Sequence, residues 1–289
     1  MFYRKLLTIL TTLCLCQLSH SLTVTSTTNL IDDLVSTIGA NDIKNESLMG
    51  DGVDPHLYRA TARDLTKLRN ADVIFYNGLH LEGKLAETLG RLAKRKDVYA
   101  VADALDTKDI INHSGAIDPH IWFDPSLWIK VAQGVAEKLS QKLPQHRDKF
   151  FQRFEKLKTE INNTASLGKA SIKSIPKEKR LLITSHDAFH YFGRYFDIEV
   201  LAVQGLSTES EAGLRDIQNI IDTIKKRKVP AVFVESSVPR AAIERVEESS
   251  KAKIGGTLFS DALGGKNSSA GTYTGMLKHN IETIVKGLK

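Results

Sequence analysis

The segment Asp72-Val73-Ile74-Phe75-Tyr76-Asn77-Gly78 decides the fold class of this chain. Its apolar, aromatic and β-branched residues form a short run that ends at the turn-forming pair Asn-Gly, which predicts a buried strand. Apolar residues recur at helical spacing before it, from Arg63 to Asn70, and after it, from Leu81 to Lys94. A strand between two helices predicts an α/β protein whose parallel sheets are flanked by helices.

The same alternation extends over the rest of the chain. Leu22 to Ser26 is predicted to be a first strand and Leu30 to Ile38 a first helix. In the second half, four short apolar runs predict strands: Leu181 to Thr184, Val200 to Gln204, Ala231 to Val234 and Lys253 to Leu258. Four helices are predicted between and after these strands, beginning at Asp187, Glu209, Arg240 and Tyr273. The second half is therefore expected to form a second α/β lobe.

A long, highly charged helical tract from Leu127 to Ile175 separates the two halves. Pro144 interrupts it, and proline suits the first turn of a new helix. A helix from Gln145 to Ser174 would be roughly 45 Å long at about 1.5 Å per residue, which is long enough to bridge two domains. We therefore predict an N-terminal lobe (22–143) and a C-terminal lobe (176–289), joined by one long rigid helix (144–175).

Composition places the chain among globular proteins, because 42% of its 289 residues are hydrophobic and 26% are charged. The net charge is +6, but basic and acidic residues are interleaved, and aromatic residues make up only 7%. The sequence has no basic stripe with aromatic stacking platforms, so nucleic acid is not an expected partner.

The N-terminus has the parts of a secretory signal: the basic pair Arg4-Lys5, the apolar run Leu6 to Leu18, and small residues at the end of a leader spanning residues 1–21. Removal of this signal peptide is expected to leave a soluble periplasmic protein. Cys14 and Cys16 both lie in the leader, so a metal site in the exported chain would have to use histidine and carboxylate ligands. Leucine precedes each cysteine where lipoprotein processing requires a small residue, so no lipid anchor is expected.

One tripeptide occurs twice in the first half, as Asp54-Pro55-His56 and Asp118-Pro119-His120. Each copy lies in a turn-prone context, and a turn at the edge of a lobe directs an imidazole away from the core. Neutral imidazole is the commonest metal ligand in proteins, so His56 and His120 are candidate ligands. Two ordinary turns with solvated histidines are the alternative interpretation.

The second half contributes further candidates. His186 follows the predicted strand Leu181 to Thr184, and open parallel sheets bind ligands beyond the carboxyl ends of their strands. Asp261 also follows an apolar stretch, although a helix N-cap is the alternative there. Glu235 follows the strand Ala231 to Val234 and is placed to orient a ligating imidazole through its second nitrogen.

Seven blocks occur in order along the exported chain: Gly-Val-Asp-Pro-His-Leu-Tyr (52–58), Ala-Asp-Val-Ile-Phe-Tyr-Asn-Gly-Leu-His-Leu-Glu (71–82), Asp-Pro-His-Ile-Trp-Phe-Asp-Pro (118–125), Ser-His-Asp-Ala-Phe (185–189), Val-Glu-Ser-Ser-Val-Pro (234–239), Leu-Phe-Ser-Asp-Ala-Leu (258–263) and Gly-Thr-Tyr-Thr-Gly-Met-Leu-Lys-His-Asn (271–280). Together they resemble the zinc- and manganese-type solute-binding proteins of ABC transporters (cluster A-I), in particular the TroA-like group. The resemblance spans essentially the whole exported chain.

The resemblance implies a two-lobe protein with a rigid interlobe helix and one metal ion in the cleft, with two ligands from each lobe. The family's ligands fall on His56, His120, His186 and Asp261. Some manganese-type relatives carry glutamate at the third position, and many zinc-dedicated members have a His- and acid-rich loop that is missing here between Gly78 and Ile117. The transported ligand is therefore expected to be Mn²⁺, Zn²⁺ or both, with no organic cofactor. The implied partner is an ABC permease in the inner membrane, and the protein is expected to be a monomer and not an enzyme.

A secreted zinc-dependent hydrolase is the alternative from another class, because His186 and His190 are four residues apart at the start of a predicted helix. Zinc peptidases with this spacing place glutamate directly after the first histidine as general base, whereas Asp187 occupies that position here. No third ligand has the spacing that those enzymes require. An adhesin built on the same fold is a further alternative, and its partner binding would be indifferent to chelators.

Overall fold

The computed structural model describes residues 21–113 and 115–289. The predicted signal peptide, apart from residue 21, lies outside the described residues. None of the helices in the described part of the chain combines the length and the apolar character that crossing a bilayer requires.

The first half is built on four strands: β1 (Leu22–Ser26), β2 (Ile43–Ser47), β3 (Val73–Tyr76) and β4 (Asp97–Ala100). They form one parallel sheet in the order β2-β1-β3-β4. Three helices connect the strands: α1 (Asn29–Gly39), α2 (Ala62–Asn70) and α3 (Leu85–Ala93). A short antiparallel hairpin follows, formed by β5 (Asn112–His113) and β6 (Ala116–Ile117). The predicted α/β class is confirmed.

Two strands of this sheet were not predicted. β2 and β4 are the outer strands, and their sequences, Ile-Lys-Asn-Glu-Ser and Asp-Val-Tyr-Ala, are mostly half-buried. Polar residues are tolerated at a sheet edge, so neither strand has the apolar run that reveals the central ones. The predicted start of α3 at Leu81 is also wrong, because residues 81–84 form turns around Gly83, whose φ is +43°.

Two long helices lead from the first half to the second: α4 (Pro125–Lys142) and α5 (Arg147–Lys173). A 3₁₀ turn at Pro144–His146 separates them, as the proline predicts. α5 has 27 residues, or about 40 Å, and it packs against both halves. Near its start Arg153 donates to the carbonyl oxygens of Ile38 and Gly39, and near its end Gly168 lies against Ile281. The long connecting helix is therefore confirmed.

The second half contains eight elements in strict alternation: β7 (Leu181–Thr184), α6 (His190–Phe196), β8 (Glu199–Ala202), α7 (Leu214–Arg227), β9 (Ala231–Glu235), α8 (Ala241–Ser249), β10 (Lys253–Leu258) and α9 (Tyr273–Leu288). β7 pairs with β8 and β9 with β10, all in parallel, and β7 lies beside β9. Helix starts predicted at Asp187 and Glu209 are wrong. The chain first passes through loops there, and one of them is tied by a bond from the Asp187 N–H to the Gly205 carbonyl.

The two halves share one apolar core. The largest cluster of buried side chains runs from the strands of the first sheet through α4 and α5 to α9, and it includes Phe75, Trp128, Phe154 and Leu288. Two smaller clusters each lie within one half. Because close-packed side chains resist displacement, the shared core stiffens the junction between the halves.

Candidate metal centre

The four residues predicted as ligands come together at one place between the halves. One donor atom from each of His56, His120, His186 and Asp261 lies within 4.8 Å of every other. All four residues are buried, His56 being the most accessible at 4%. Carboxylates and imidazoles at such depth require compensating partners.

The donor separations have the dimensions of a metal coordination sphere. The Nε2 atom of His120 lies 3.3 Å from His56 Nε2 and 3.4 Å from His186 Nε2. The Asp261 Oδ2 atom lies 3.3 Å from His186 Nε2, and its Oδ1 lies 3.6 Å from His120 Nε2. A tetrahedron with metal–ligand bonds of about 2.0–2.1 Å has edges of about 3.3–3.4 Å. These donors are therefore spaced to surround a single ion.

Both Asp-Pro-His tripeptides form the same local turn. The Asp54 Oδ1 atom accepts the backbone N–H of His56 at 2.8 Å, and Asp118 Oδ1 accepts that of His120 at 2.9 Å. In each turn, the aspartate side chain bonds to its own backbone two residues on and fixes the direction of the histidine. The other oxygen of Asp54 accepts the hydroxyl of Thr208 at 2.6 Å, which links the turn to the second half.

The second half presents its polar groups beyond the carboxyl ends of neighbouring strands. His186 follows β7, Asp261 follows β10 and Glu235 ends β9. Glu235 Oε1 accepts the backbone N–H of His186 at 2.8 Å, and its Oε2 lies 2.5 Å from the Nδ1 atom of the same residue. The interpretation of Glu235 as an orienting carboxylate therefore agrees with its position.

A second orienting carboxylate belongs to Asp118, whose Oδ1 atom lies 2.8 Å from His120 Nδ1. From sequence, Asp118 is predicted only as part of a turn, although its spacing from His120 is a signal for this role. A carboxylate can only accept, so Nδ1 of His120 and of His186 must carry the proton. That tautomer leaves the lone pair on Nε2, which faces the centre of the site.

The carboxylate of Asp261 is an acceptor without a hydrogen bond. Within the described residues, neither of its oxygens has a hydrogen-bond partner, although both are buried. The alternative role as a helix N-cap is excluded, because the next helix begins at Tyr273 and is capped by Thr272. An unsatisfied buried carboxylate that faces imidazole nitrogens fits the binding of a cation.

The charged groups of the site shift one another's pKa values. Burial alone would lower the pKa of His186, but the carboxylates of Glu235 and Asp261 outweigh it and raise that pKa well above its ordinary value. Burial alone would raise the pKa of Asp261, but the nearby imidazoles, led by His186, hold it below its usual range. Burial lowers the pKa of His56 to about 4. These opposite shifts favour a protonated His186 beside an ionised Asp261, and a cation binding here would have to displace that proton.

His190 does not join this centre. Its Nδ1 atom lies 3.2 Å from Asp187 Oδ1 and 3.6 Å from Asp118 Oδ2. Since α6 begins only at His190, His186 lies outside the helix and the two histidines do not share a helical face. The arrangement that suggested a hydrolase is therefore not formed.

The chain is similar in sequence and structure to known zinc- and manganese-binding proteins. Residues 24–287 match the family model described as zinc-uptake complex component A, periplasmic. The chain is 43% identical over 277 residues to the manganese-binding lipoprotein MntA of Bacillus subtilis, covering 93% of this chain and 90% of that protein. It is 42% identical over 271 residues to the zinc-binding protein TroA of Treponema pallidum, covering 92% and 88%. The solved structure of that periplasmic zinc-binding TroA superposes with a TM-score of 0.91 at 41% identity, covering 93% of this chain and 99% of that one.

These relatives also bear on two expectations from the sequence. MntA is named a lipoprotein, which speaks against the expectation that no lipid anchor is present. The family model and the relatives together cover nearly the whole described chain, as the seven sequence blocks predict. The chain therefore belongs to the family of zinc-uptake component A proteins, the zinc- and manganese-type solute-binding proteins of ABC transporters.

Proposed function

We propose that this protein captures a divalent transition metal ion, zinc or manganese, outside the cytoplasm and delivers it to the membrane permease of an ABC importer. His56, His120, His186 and Asp261 are the proposed ligands. The observation that carries the proposal is their spacing, with four donor separations between 3.3 and 3.6 Å. The relatives named as zinc- and manganese-binding proteins support it.

Both metals suit this donor set. Imidazole and carboxylate are ligands for Zn²⁺ and Mn²⁺ alike. A single Asp261 oxygen together with the three imidazoles would complete a tetrahedral zinc site. Because its two oxygens face different histidines, Asp261 has the orientation for bidentate binding as well, which would raise the coordination number toward the one that Mn²⁺ accepts.

The donor set also supports a binding function over catalysis. Catalytic zinc sites use three protein ligands and keep one position for water or substrate. Here four side chains would fill the sphere of a tetrahedral ion, and all of them are buried. We therefore propose a protein that is not an enzyme and whose ligand is the transported ion itself.

The lobes and partners complete the proposal. Two ligands come from an N-terminal lobe (22–143) and two from a C-terminal lobe (176–289), on either side of a connecting region (144–175). The protein acts as a monomer in the periplasm, and its partner is the permease in the inner membrane. Membership of the solute-binding family and the shared core of the two halves support this organisation.

Metal analysis tests the function directly. Protein purified without added metal and then dialysed against Zn²⁺ or Mn²⁺ is expected to retain one ion per chain. Competition between the two metals gives their relative affinities. A stoichiometry of one that is lost when His120 and Asp261 are both replaced by alanine supports the proposal. Metal retention that is unchanged in the double variant would refute the assigned site.

A further inference from the structure

The turn between β3 and α3 (Asn77–Gly83) has an unusual backbone. Gly78 and Gly83 have φ values of +83° and +43°, and Leu79 and His80 have values of +52° and +66°. Residues with a Cβ atom rarely adopt this left-handed conformation, and here two of them adopt it in succession. Such a backbone persists only where its surroundings enforce it. In proteins generally, residues held in this conformation cluster at functional sites.

A buried carboxylate holds this turn in place. Glu82 is 1% exposed, and its Oε1 atom accepts the backbone N–H of Asn77 at 2.5 Å and the hydroxyl of Thr27 at 2.8 Å. Its Oε2 atom accepts the backbone N–H of Gly78 at 3.3 Å. Thr27 directly follows β1, so the carboxylate ties the turn to the ends of the two central strands of the sheet.

The same turn contacts the backbone of His56 and that of Pro119, the residue before His120. The Asn77 Nδ2 atom donates to the carbonyl of Pro119, the residue before His120, at 3.0 Å. At its other end, a Cβ atom added to Gly83 would lie 2.4 Å from the carbonyl oxygen of His56. The glycine therefore allows an approach to His56 that no other residue would permit.

We infer that the Asn77–Gly83 turn is a positioning element that sets the separation of His56 and His120 and thereby the coordination geometry of the bound metal. Asn77 holds one histidine loop from one end of the turn, and Gly83 receives the other loop at the opposite end. The 3.3 Å between the two Nε2 atoms is one edge of the coordination polyhedron. The inference rests on the proposed function, because it assigns the turn a role only if these histidines bind metal.

Two substitutions test the turn, and one matched control accompanies them. Gly83→Ala adds a methyl group against the His56 carbonyl, and Asn77→Ala removes the bond to Pro119. Gly90→Ala is the control. It also adds one methyl group, but it lies on α3, where a Cβ would meet no atom within 4 Å. Each purified protein is saturated with Co²⁺, whose visible absorption reports coordination number and symmetry, and its Zn²⁺ and Mn²⁺ affinities are measured. The thermal midpoint of the metal-free protein monitors the fold.

We expect both turn variants to bind Zn²⁺ about 10–100-fold more weakly. This is the loss typically found when a residue that orients a metal ligand is replaced. Their Co²⁺ spectra at saturation and their Zn²⁺-to-Mn²⁺ affinity ratios should differ from those of wild type, while Gly90→Ala matches wild type. Asn77→Ala adds no atoms and decides the test if Gly83→Ala does not fold. A folded Asn77→Ala variant with wild-type spectrum and affinities would overturn the inference. Unchanged Zn²⁺ affinity in His56→Ala and His120→Ala would instead refute the proposed function.

Discussion

Replacing Glu235 by glutamine tests how far the carboxylate behind His186 prepares the site for metal. Both oxygens of Glu235 are used, one by the backbone N–H of His186 at 2.8 Å and the other by its ring Nδ1 at 2.5 Å. Glutamine has almost the same shape, but its amide group would turn a donor toward one of these two N–H groups. One N–H of His186 would therefore lose its partner in a site that is fully buried.

The expected loss follows from this geometry. Substituting the residue that orients a ligating histidine typically weakens metal binding by about 10–100-fold, which is about 1.4–2.7 kcal/mol. The deficit should depend on pH. Glu235 raises the pKa of His186, so the wild-type protein must displace a proton from that imidazole to bind metal. Glu235→Gln lowers that pKa, and its deficit should shrink as the pH falls from about 8 to 6.

A competition titration against a chromogenic chelator measures the effect, with Zn²⁺ as the probe and the pH varied in steps. Glu248 is exposed on α8, away from the site, and its replacement by glutamine serves as the control. Thermal unfolding of the metal-free proteins identifies any general loss of stability. An affinity within twofold of wild type at every pH would show that the carboxylate does not prepare His186 for metal.

The remaining predictions concern the ligands, pH, linkage and a buried acid. Replacing His56, His120, His186 or Asp261 by alanine should weaken Zn²⁺ binding by about a hundredfold or more, measured by calorimetry, and wild-type affinity in any two variants would contradict the assignment. Zn²⁺ affinity should fall between about pH 7 and 5, because the pKa of His186 is raised and its imidazole binds metal only after losing a proton, whereas His56, with a pKa of about 4, stays neutral; a flat profile would exclude His186 as a ligand. Zn²⁺ at a concentration about a thousandfold above Kd should raise the free energy of unfolding by roughly 4 kcal/mol, and an unchanged thermal midpoint would argue against a site shared by the two halves. Solution scattering should show little change in radius of gyration on metal binding, because the shared core stiffens the junction between the halves. Burial raises the pKa of Glu82 from 4.5 to about 7, so its ionisation costs stability as the pH rises through this interval. Denaturant unfolding of Glu82→Gln should show its stability relative to wild type rising over the same interval by up to roughly 3 kcal/mol, whereas a pH-independent difference would mean that Glu82 titrates normally.

Much of the architecture is determined by local sequence. The strands β3, β7 and β9 are short apolar runs and β1 is a short β-branched run, so their burial is evident from neighbouring residues alone. The long helix α5 follows from Pro144 and an uninterrupted charged tract. The direction of His56 and His120 is likewise local, because each turn is closed by an aspartate two residues earlier.

What the tertiary structure alone decided are the relations between distant residues. Glu235 contacts His186 across 49 positions of sequence, and Asn77 contacts Pro119 across 42. Asp261 could be read from its neighbours either as a cap or as a ligand, and only its unsatisfied oxygens beside His120 and His186 distinguish the two. Spacing along the chain encodes interactions within a few residues, whereas these contacts depend on how strands and helices pack into one core. The sequence therefore determined which residues have the chemistry to bind metal, and tertiary packing decided which distant groups contact them and how the residues of the two halves meet.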